Sequence, residues 1–254
     1  MKAVFTCGGT GGHINPALAV ARVLLERRPD SEILFVGAED GMEATLVPRE
    51  GFRLETLQIS SYMRSLKPSA IRHNVRAALS IRRALKKADR IIRDFQPDVI
   101  LGTGGYASYP MLHEGARLGI PTAVHESNAV PGLATKMVAD KVDRILVSFA
   151  DSRSAYRDPS RVIAVGMPVR EEFVFTRRAD ARRALGLDEK TPMIVSAWGS
   201  LGAREMNKKI AQFMKLECEQ DCWRHIHATG SFGWRWMPDY VKEQGVELEK
   251  HPLI

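Results

Sequence analysis

The stretch Lys2-Ala3-Val4-Phe5-Thr6-Cys7-Gly8-Gly9-Thr10-Gly11-Gly12-His13-Ile14-Asn15-Pro16 decides the fold. Lys2–Cys7 reads as a short buried strand. From Pro16 to Arg28 the apolar residues Ala17, Leu18, Val20, Ala21, Leu24 and Leu25 recur at helical spacing. Strand, glycine turn and helix therefore follow one another directly. Glycines let the backbone turn tightly and approach a ligand. The first amides of the helix, with its dipole, make an anion site. Pro16 suits a first helical turn, where no amide donor is needed. A Walker loop is excluded, because it ends in Gly-Lys-Ser/Thr and this one ends in Gly12-His13. A dinucleotide fingerprint needs a third glycine where Ile14 stands. Glu39 and Asp40, at the place of a ribose-binding acid, keep a nicotinamide-dependent oxidoreductase as an alternative.

Outward from this stretch the alternation repeats. Glu32–Val36, Arg53–Ile59, Asp98–Gly102, Pro121–His125 and Asp143–Ser148 read as strands. Ser69–Phe95, Tyr109–Leu118 and Gly132–Ala139 read as helices. Short aliphatic strands between helices predict a parallel sheet covered on both faces. A polar connector, Asp151–Pro159, separates a second round. It has strands at Arg161–Val165, Met193–Ala197 and His225–Ala228, and helices at Arg177–Leu185, Ala203–Leu216 and Tyr240–Gln244. A further strand begins at Val246–Glu249. The expected domains are residues 1–159 and 160–254. The second ends on an uncovered parallel edge, so it is expected to be incomplete.

Hydrophobic residues make up 44% and charged residues 26% of the 254, the balance of a soluble globular chain. No apolar run reaches the ~18 residues of a membrane span. The N-terminal apolar stretch is too short for a signal peptide, so a cytoplasmic protein with reduced Cys7, Cys218 and Cys222 is expected. Cys218, Cys222, His225 and His227 match no common zinc spacing and are expected to be structural. The net charge of +7 concentrates between Arg64 and Arg93, where ten Lys and Arg face one acid, Asp89. Ile71, Val75, Ala78, Leu79, Leu85 and Ile92 recur there at helical spacing. Such a helix either binds an anionic membrane surface or packs on the core with a solvated basic face. Nucleic acid is not expected, because no recognition module is present and no aromatics interleave with the charges.

Two further turns close strands of the first sheet. Gly102-Thr103-Gly104-Gly105-Tyr106-Ala107-Ser108-Tyr109-Pro110 repeats the glycine-rich strand-to-helix crossing. His125-Glu126-Ser127-Asn128-Ala129-Val130-Pro131-Gly132 brings an imidazole, a carboxylate and an amide to another strand end. Ligands of open parallel sheets bind at that rim.

Together the three stretches resemble the bacterial undecaprenyl-diphospho-muramoylpentapeptide β-N-acetylglucosaminyltransferases, the MurG family. The likeness covers the chain and weakens after about residue 200. It implies an α/β fold of GT-B type, two Rossmann-like domains facing a cleft, with the second incomplete. It also implies inverting transfer of N-acetylglucosamine from UDP-N-acetylglucosamine to lipid I, giving lipid II. The reaction needs no metal or cofactor and takes place at the cytoplasmic face of the cell membrane. By resemblance, residues 1–159 take the lipid acceptor and 160–254 form part of the donor domain. Thr10, Gly11 and Gly12 form the loop at the cleft. Gly104 and Gly105 belong to the second glycine turn. Tyr106, His125, Glu126 and Asn128 line the acceptor side. His13 is a candidate base or a contact of the acceptor diphosphate. Arg170 reaches the nucleotide, Ser200 the donor diphosphate and Ile254 the uracil. The base stays open among His13, His125 and Glu126. This chain departs from the family pattern at Thr135, Met167, Trp198 and Leu201. The readings kept beside transfer are a fragment that only binds the lipid acceptor, and another GT-B enzyme with a different lipid acceptor.

Overall fold

The computed structural model describes the chain except residues 60–67, 200 and 221–222, and gives the backbone alone for 68–79. Ser200, Cys222, Arg64 and Lys67 thus lie outside the described residues, as do the side chains of Ile71, Arg72, Val75, Arg76, Ala78 and Leu79. The chain divides into two units, Met1–Val174 and Phe175–Ile254.

The first unit alternates strand and helix. It runs β1 (Lys2–Thr6), α1 (Gly11–Arg27), β2 (Glu32–Ala38), α2 (Glu43–Arg49), β3 (Arg53–Leu57) and α3 (Pro68–Phe95). It continues with β4 (Val99–Gly102), α4 (Ser108–Arg117), β5 (Thr122–Glu126), α5 (Leu133–Val138), β6 (Arg144–Val147) and β7 (Val162–Ala164). The strands form one sheet in the order β3-β2-β1-β4-β5-β6-β7, and every pairing is parallel. Side-chain alternation on each strand builds two cores. Ala3 and Phe5 of β1 join Ile14, Ala17, Leu18 and Ala21 of α1 and Val47 of α2 on one face. Val4 faces the other way, in a core with Ala84, Ala88, Ile91 and Ile92 of α3 and Met111 and Leu112 of α4.

Three expectations are corrected. Helix α1 starts at Gly11, five residues before Pro16, because glycines and a turn-forming threonine enter the helix without a clash. Pro16 then lies inside the helix, where its missing N–H leaves the carbonyl of exposed Gly12 without the usual i+4 donor. The strand near Val162 does not open the second unit. It pairs with β6, Ile145 against Val162 and Val147 against Ala164, and completes the first sheet. Residues 246–249 form no strand. Buried Val246 anchors the chain to the second core, and the chain turns once before Leu253 bridges His227.

After α6 (Glu171–Phe175), the second unit contains α7 (Arg178–Ala184), β8 (Met193–Ala197), α8 (Arg204–Gln220), β9 (Arg224–Ala228), α9 (Gly230–Gly233) and α10 (Met237–Glu243). Strands β8 and β9 pair in parallel, and Ala211, Met214, Met237, Val241 and Val246 form the core.

In the described part of α3 the apolar and basic residues separate onto two faces. Ala84, Ala88, Ile91 and Ile92 are buried in the core, while Arg82, Arg83, Lys86, Lys87, Arg90 and Arg93 are exposed. Among the described residues no helix is long and apolar enough to cross a membrane.

Candidate functional site

Strand order reverses between β1 and β4, so the loops after these neighbouring strands diverge and open a crevice at their carboxyl ends. Both loops are glycine-rich for a steric reason. Gly9, Gly104 and Gly105 have φ of 87°, 99° and 81°, and a Cβ on Gly105 would overlap the Gly8 carbonyl. Thr103 ties the loops further, its Oγ1 donating to the His13 carbonyl at 2.6 Å. Thr10 is extended at the start of α1 without capping it by its side chain, and the first turn holds no acid. Its leading amides therefore remain available to an anion.

A cavity of about 340 Å³ opens over this crevice. His13, Gly104, Gly105, Tyr106, Glu126 and Asn128 line it, with apolar Ile59, Ile81, Tyr109, Leu133 and Met137. His13 Nδ1 lies 3.0 Å from the Gly8 carbonyl and 3.3 Å from Thr10 Oγ1. A carbonyl only accepts, so Nδ1 carries a proton, and Nε2 is the nitrogen that is bare in the neutral ring. The Nε2 edge of the ring lies against Gly104 at the cavity wall. Burial, and then the carboxylates of Glu43 and Asp40, push the Tyr106 phenol above its ordinary range, so it enters the cavity as a donor.

Glu126 and His125 are neighbours on β5, so their side chains leave opposite faces of the sheet. Glu126 faces the cavity, but four donors occupy its carboxylate. These are Asn128 N at 3.0 Å, Asn128 Nδ2 at 2.7 Å, Gly132 N at 2.9 Å and Thr135 Oγ1 at 2.6 Å. Burial alone would raise its pKa, yet these bonds outweigh it and hold the pKa below the ordinary value. A carboxylate so engaged anchors the loop into α5 and is a poor proton acceptor, which corrects its place among the base candidates. His125 is corrected too. It is buried, its Nε2 donates to the Gly166 carbonyl at 3.0 Å beside Ser148, and it is not among the residues lining the cavity. Burial lowers its pKa despite the Gly166 bond and Glu126, which keeps the ring neutral. Asn128 is exposed at the rim, its amide turned back to Glu126.

The remaining candidates lie elsewhere. Arg170 is ion-paired with Glu50 at 3.8 Å and packs against Phe173. Ile254 is exposed in the second unit, and its backbone bonds His227 and Thr229 beside β9. Among the described residues no group of three or more His, Cys, Asp or Glu is placed to hold a metal. His225 and His227 are instead engaged with Glu217, Ser196 and Asn207.

One residue of the site went unread in the sequence. Glu43, the first residue of α2, is fully buried beneath the Gly8–Gly9 turn. Its oxygens accept Ala38 N at 2.7 Å and Gly9 N at 3.1 Å. Beside it Cys7 is also buried, and burial, then Glu43, raise the thiol far above its ordinary range, so Cys7 is no nucleophile. The available signal was an acid following Gly41 in a short apolar stretch. Pro48 hid the helix, because it occupies the last turn.

Residues 3–147 match the glycosyltransferase family 28 N-terminal domain. The chain is 39% identical over 230 residues, 91% of its length, to a protein of Acetivibrio thermocellus. That relative is named UDP-N-acetylglucosamine--N-acetylmuramyl-(pentapeptide) pyrophosphoryl-undecaprenol N-acetylglucosamine transferase. A protein of the same name from Thermoanaerobacter sp. is 40% identical over 250 residues, 98% of the chain. The chain spans 61% of the first relative's length and 67% of the second's. The crystal structure of Acinetobacter baumannii MurG aligns over the whole chain and 67% of its own, with TM-score 0.64 at 22% identity. A UDP-GlcNAc 2-epimerase from Neisseria meningitidis aligns over the whole chain and 72% of its own, with TM-score 0.63 at 14% identity. These structures share the fold.

Proposed function

The chain belongs to glycosyltransferase family 28, in its MurG branch, and from that premise we propose that it serves the transfer of N-acetylglucosamine from UDP-N-acetylglucosamine to lipid I, giving lipid II. The first unit, which includes β7, takes the lipid acceptor, and the second contributes to the donor side. One observation carries this reading: the imidazole of His13, in the first turn of a helix with no side-chain cap, lines a cavity at the switch point of a parallel sheet whose other walls are largely apolar.

Those parts suit an acceptor that is part pyrophosphate and part lipid. The amides after Thr10 offer donors to a diphosphate. Leu133 and Met137 line the cavity and are exposed, and Val130 stands exposed nearby in sequence, giving an apolar rim. In the transfer, the acceptor hydroxyl gives its proton to His13 Nε2. Its oxygen then bonds to the anomeric carbon from the face opposite the diphosphate. The carbon–oxygen bond to the diphosphate breaks and its electron pair leaves with UDP, which inverts the anomeric centre. Glu126 and Asn128 keep the rim in shape. Arg170, Ser200 and Ile254 belong to the nucleotide side. The exposed basic face of α3 draws the protein to an anionic membrane surface, at about 1 kcal/mol per cation. On this reading the protein works as a peripheral protein at the cytoplasmic face of the membrane.

The test is incubation with UDP-N-acetylglucosamine carrying a labelled sugar and a short-chain lipid I analogue. Label in a lipid product supports transfer. Acceptor binding without product supports the narrower reading, a chain that binds the lipid acceptor only. Failure to bind that acceptor overturns both.

A further inference from the structure

We infer that Glu43 is a positioning residue that acts on His13 through the Gly8–Gly9 peptide, fixing the ring in the tautomer that carries its proton on Nδ1 and leaves Nε2 bare. The inference deepens the proposed reading of His13 as the base and rests on it. The Gly9 N–H and the Gly8 carbonyl belong to one planar peptide unit. On one side that unit donates to Glu43 Oε2 at 3.1 Å, and on the other it accepts His13 Nδ1–H at 3.0 Å. Carboxylate, peptide and imidazole therefore form one chain of hydrogen bonds, all pointing toward the carboxylate. Bonds in such a chain polarise one another, so the carboxylate strengthens the carbonyl as an acceptor of Nδ1–H. A carboxylate bonded directly to Nδ1–H orients a catalytic histidine in the same way. Here a peptide stands between the two.

The surroundings are shaped to admit this carboxylate. Glu43 is fully buried, and its other oxygen accepts Ala38 N at 2.7 Å. A Cβ on Gly8, Gly37 or Gly41 would overlap its side-chain atoms. Three glycines from two loops and one strand thus clear the space that it fills. With both oxygens held, the carboxylate cannot rotate away from Gly9.

When Nε2 takes a proton, the ring becomes an imidazolium with Nδ1–H still bonded to the Gly8 carbonyl. The buried negative charge then faces the new positive charge across one peptide. Free histidine prefers the opposite tautomer, with the proton on Nε2, so the assignment is open to direct observation.

The experiment uses the full chain with 15N-labelled histidine and long-range proton–nitrogen NMR at neutral pH, the His13 signals being assigned by their loss in His13→Asn. The expected wild-type signature is a protonated Nδ1 and a bare Nε2. Glu43→Gln keeps the side chain's shape but sets an amide N–H against a backbone N–H, and the Nδ1–H population is expected to fall below half. A His13 protonated on Nε2 in the wild type overturns the inference, as does a folded Glu43→Gln with an unchanged His13. Should that variant fail to fold, the wild-type tautomer decides alone. The readout needs no turnover. A chain with the expected tautomer and no acceptor binding would sink the proposed function and leave the Glu43 relay standing.

Discussion

At Gly105 the backbone has φ of 81° and an added Cβ would overlap the Gly8 carbonyl, whereas at Gly119, with φ of 73°, an added Cβ meets nothing within 4 Å. Alanine at either site carries the left-handed cost of about 1–2 kcal/mol. Gly105→Ala must also push two backbones apart, so we expect a loss of roughly 3 kcal/mol or more, against about 1 for Gly119→Ala. Urea melts followed by circular dichroism compare them, and equal losses would mean that the two glycine loops are not in contact. His13 is half-buried, so His13→Ala should leave the melt nearly unchanged. Turnover in the labelled-sugar assay should nonetheless fall about 10²–10⁴-fold, the range for a lost general base. Near-normal turnover would remove His13 from the chemistry. At this scale the sequence showed His13 and the glycines, because their spelling is local. It also held the opposite facing of His125 and Glu126, since adjacent strand residues alternate. Glu43 was hidden, because its contact with Gly9 spans 34 positions.

The turn into α5 hangs on a single carboxylate. Glu126 is the last residue of β5, and its four donors come from Asn128, Gly132 and Thr135, the segment that forms the cavity rim. Its folded pKa is depressed, so the stability it contributes is present above the unfolded value of about 4.3 and is lost as pH falls through the folded value. Hydrogen exchange at the Gly132 and Asn128 amides should therefore lose protection below about pH 4. Glu126→Gln should show that loss already at neutral pH, with the segment less stable by about 1–3 kcal/mol. Protection unchanged in this variant would show that the carboxylate is not the anchor. The elements themselves were legible because each strand is a short aliphatic run between amphipathic helices. Their ends and partners were less so. The start of α1 is set by glycines, which carry no periodic signal. The place of β7 is set by pairing with β6, and a run of three residues does not announce its sheet.

All four tryptophans, Trp198, Trp223, Trp234 and Trp236, lie in the second unit, so tryptophan fluorescence reports that unit alone. Its strands carry a chain of hydrogen-bonded polar side chains. His227 Nε2 donates to Asn207 Oδ1 at 3.3 Å, so its Nδ1 accepts from Ser196 Oγ at 2.7 Å. Ser196 Oγ also lies 2.7 Å from His225 Nε2, and His225 Nδ1 lies 2.7 Å from Glu217. His227 thus shares Ser196 with His225. Burial, and then His225, lower the His227 pKa from 6.5 to about 4. Between these values the unfolded chain binds a proton that the folded unit refuses, so stability falls as pH drops from 6.5 to 4. The linkage is on the order of 3 kcal/mol at 1.36 kcal/mol per pH unit. Buried His251, whose pKa is also lowered by burial, acts in the same direction. The fluorescence-detected urea midpoint should therefore decline steadily across that window, and His227→Gln should remove at least about half of the decline. A wild-type midpoint that is flat between pH 6.5 and 4.5 would mean that His227 is not held neutral. An equal decline in the variant would place the acid sensitivity on other groups. The first outcome would break the hydrogen-bond chain at Ser196, and with it the reason β9 can bury His225 and His227.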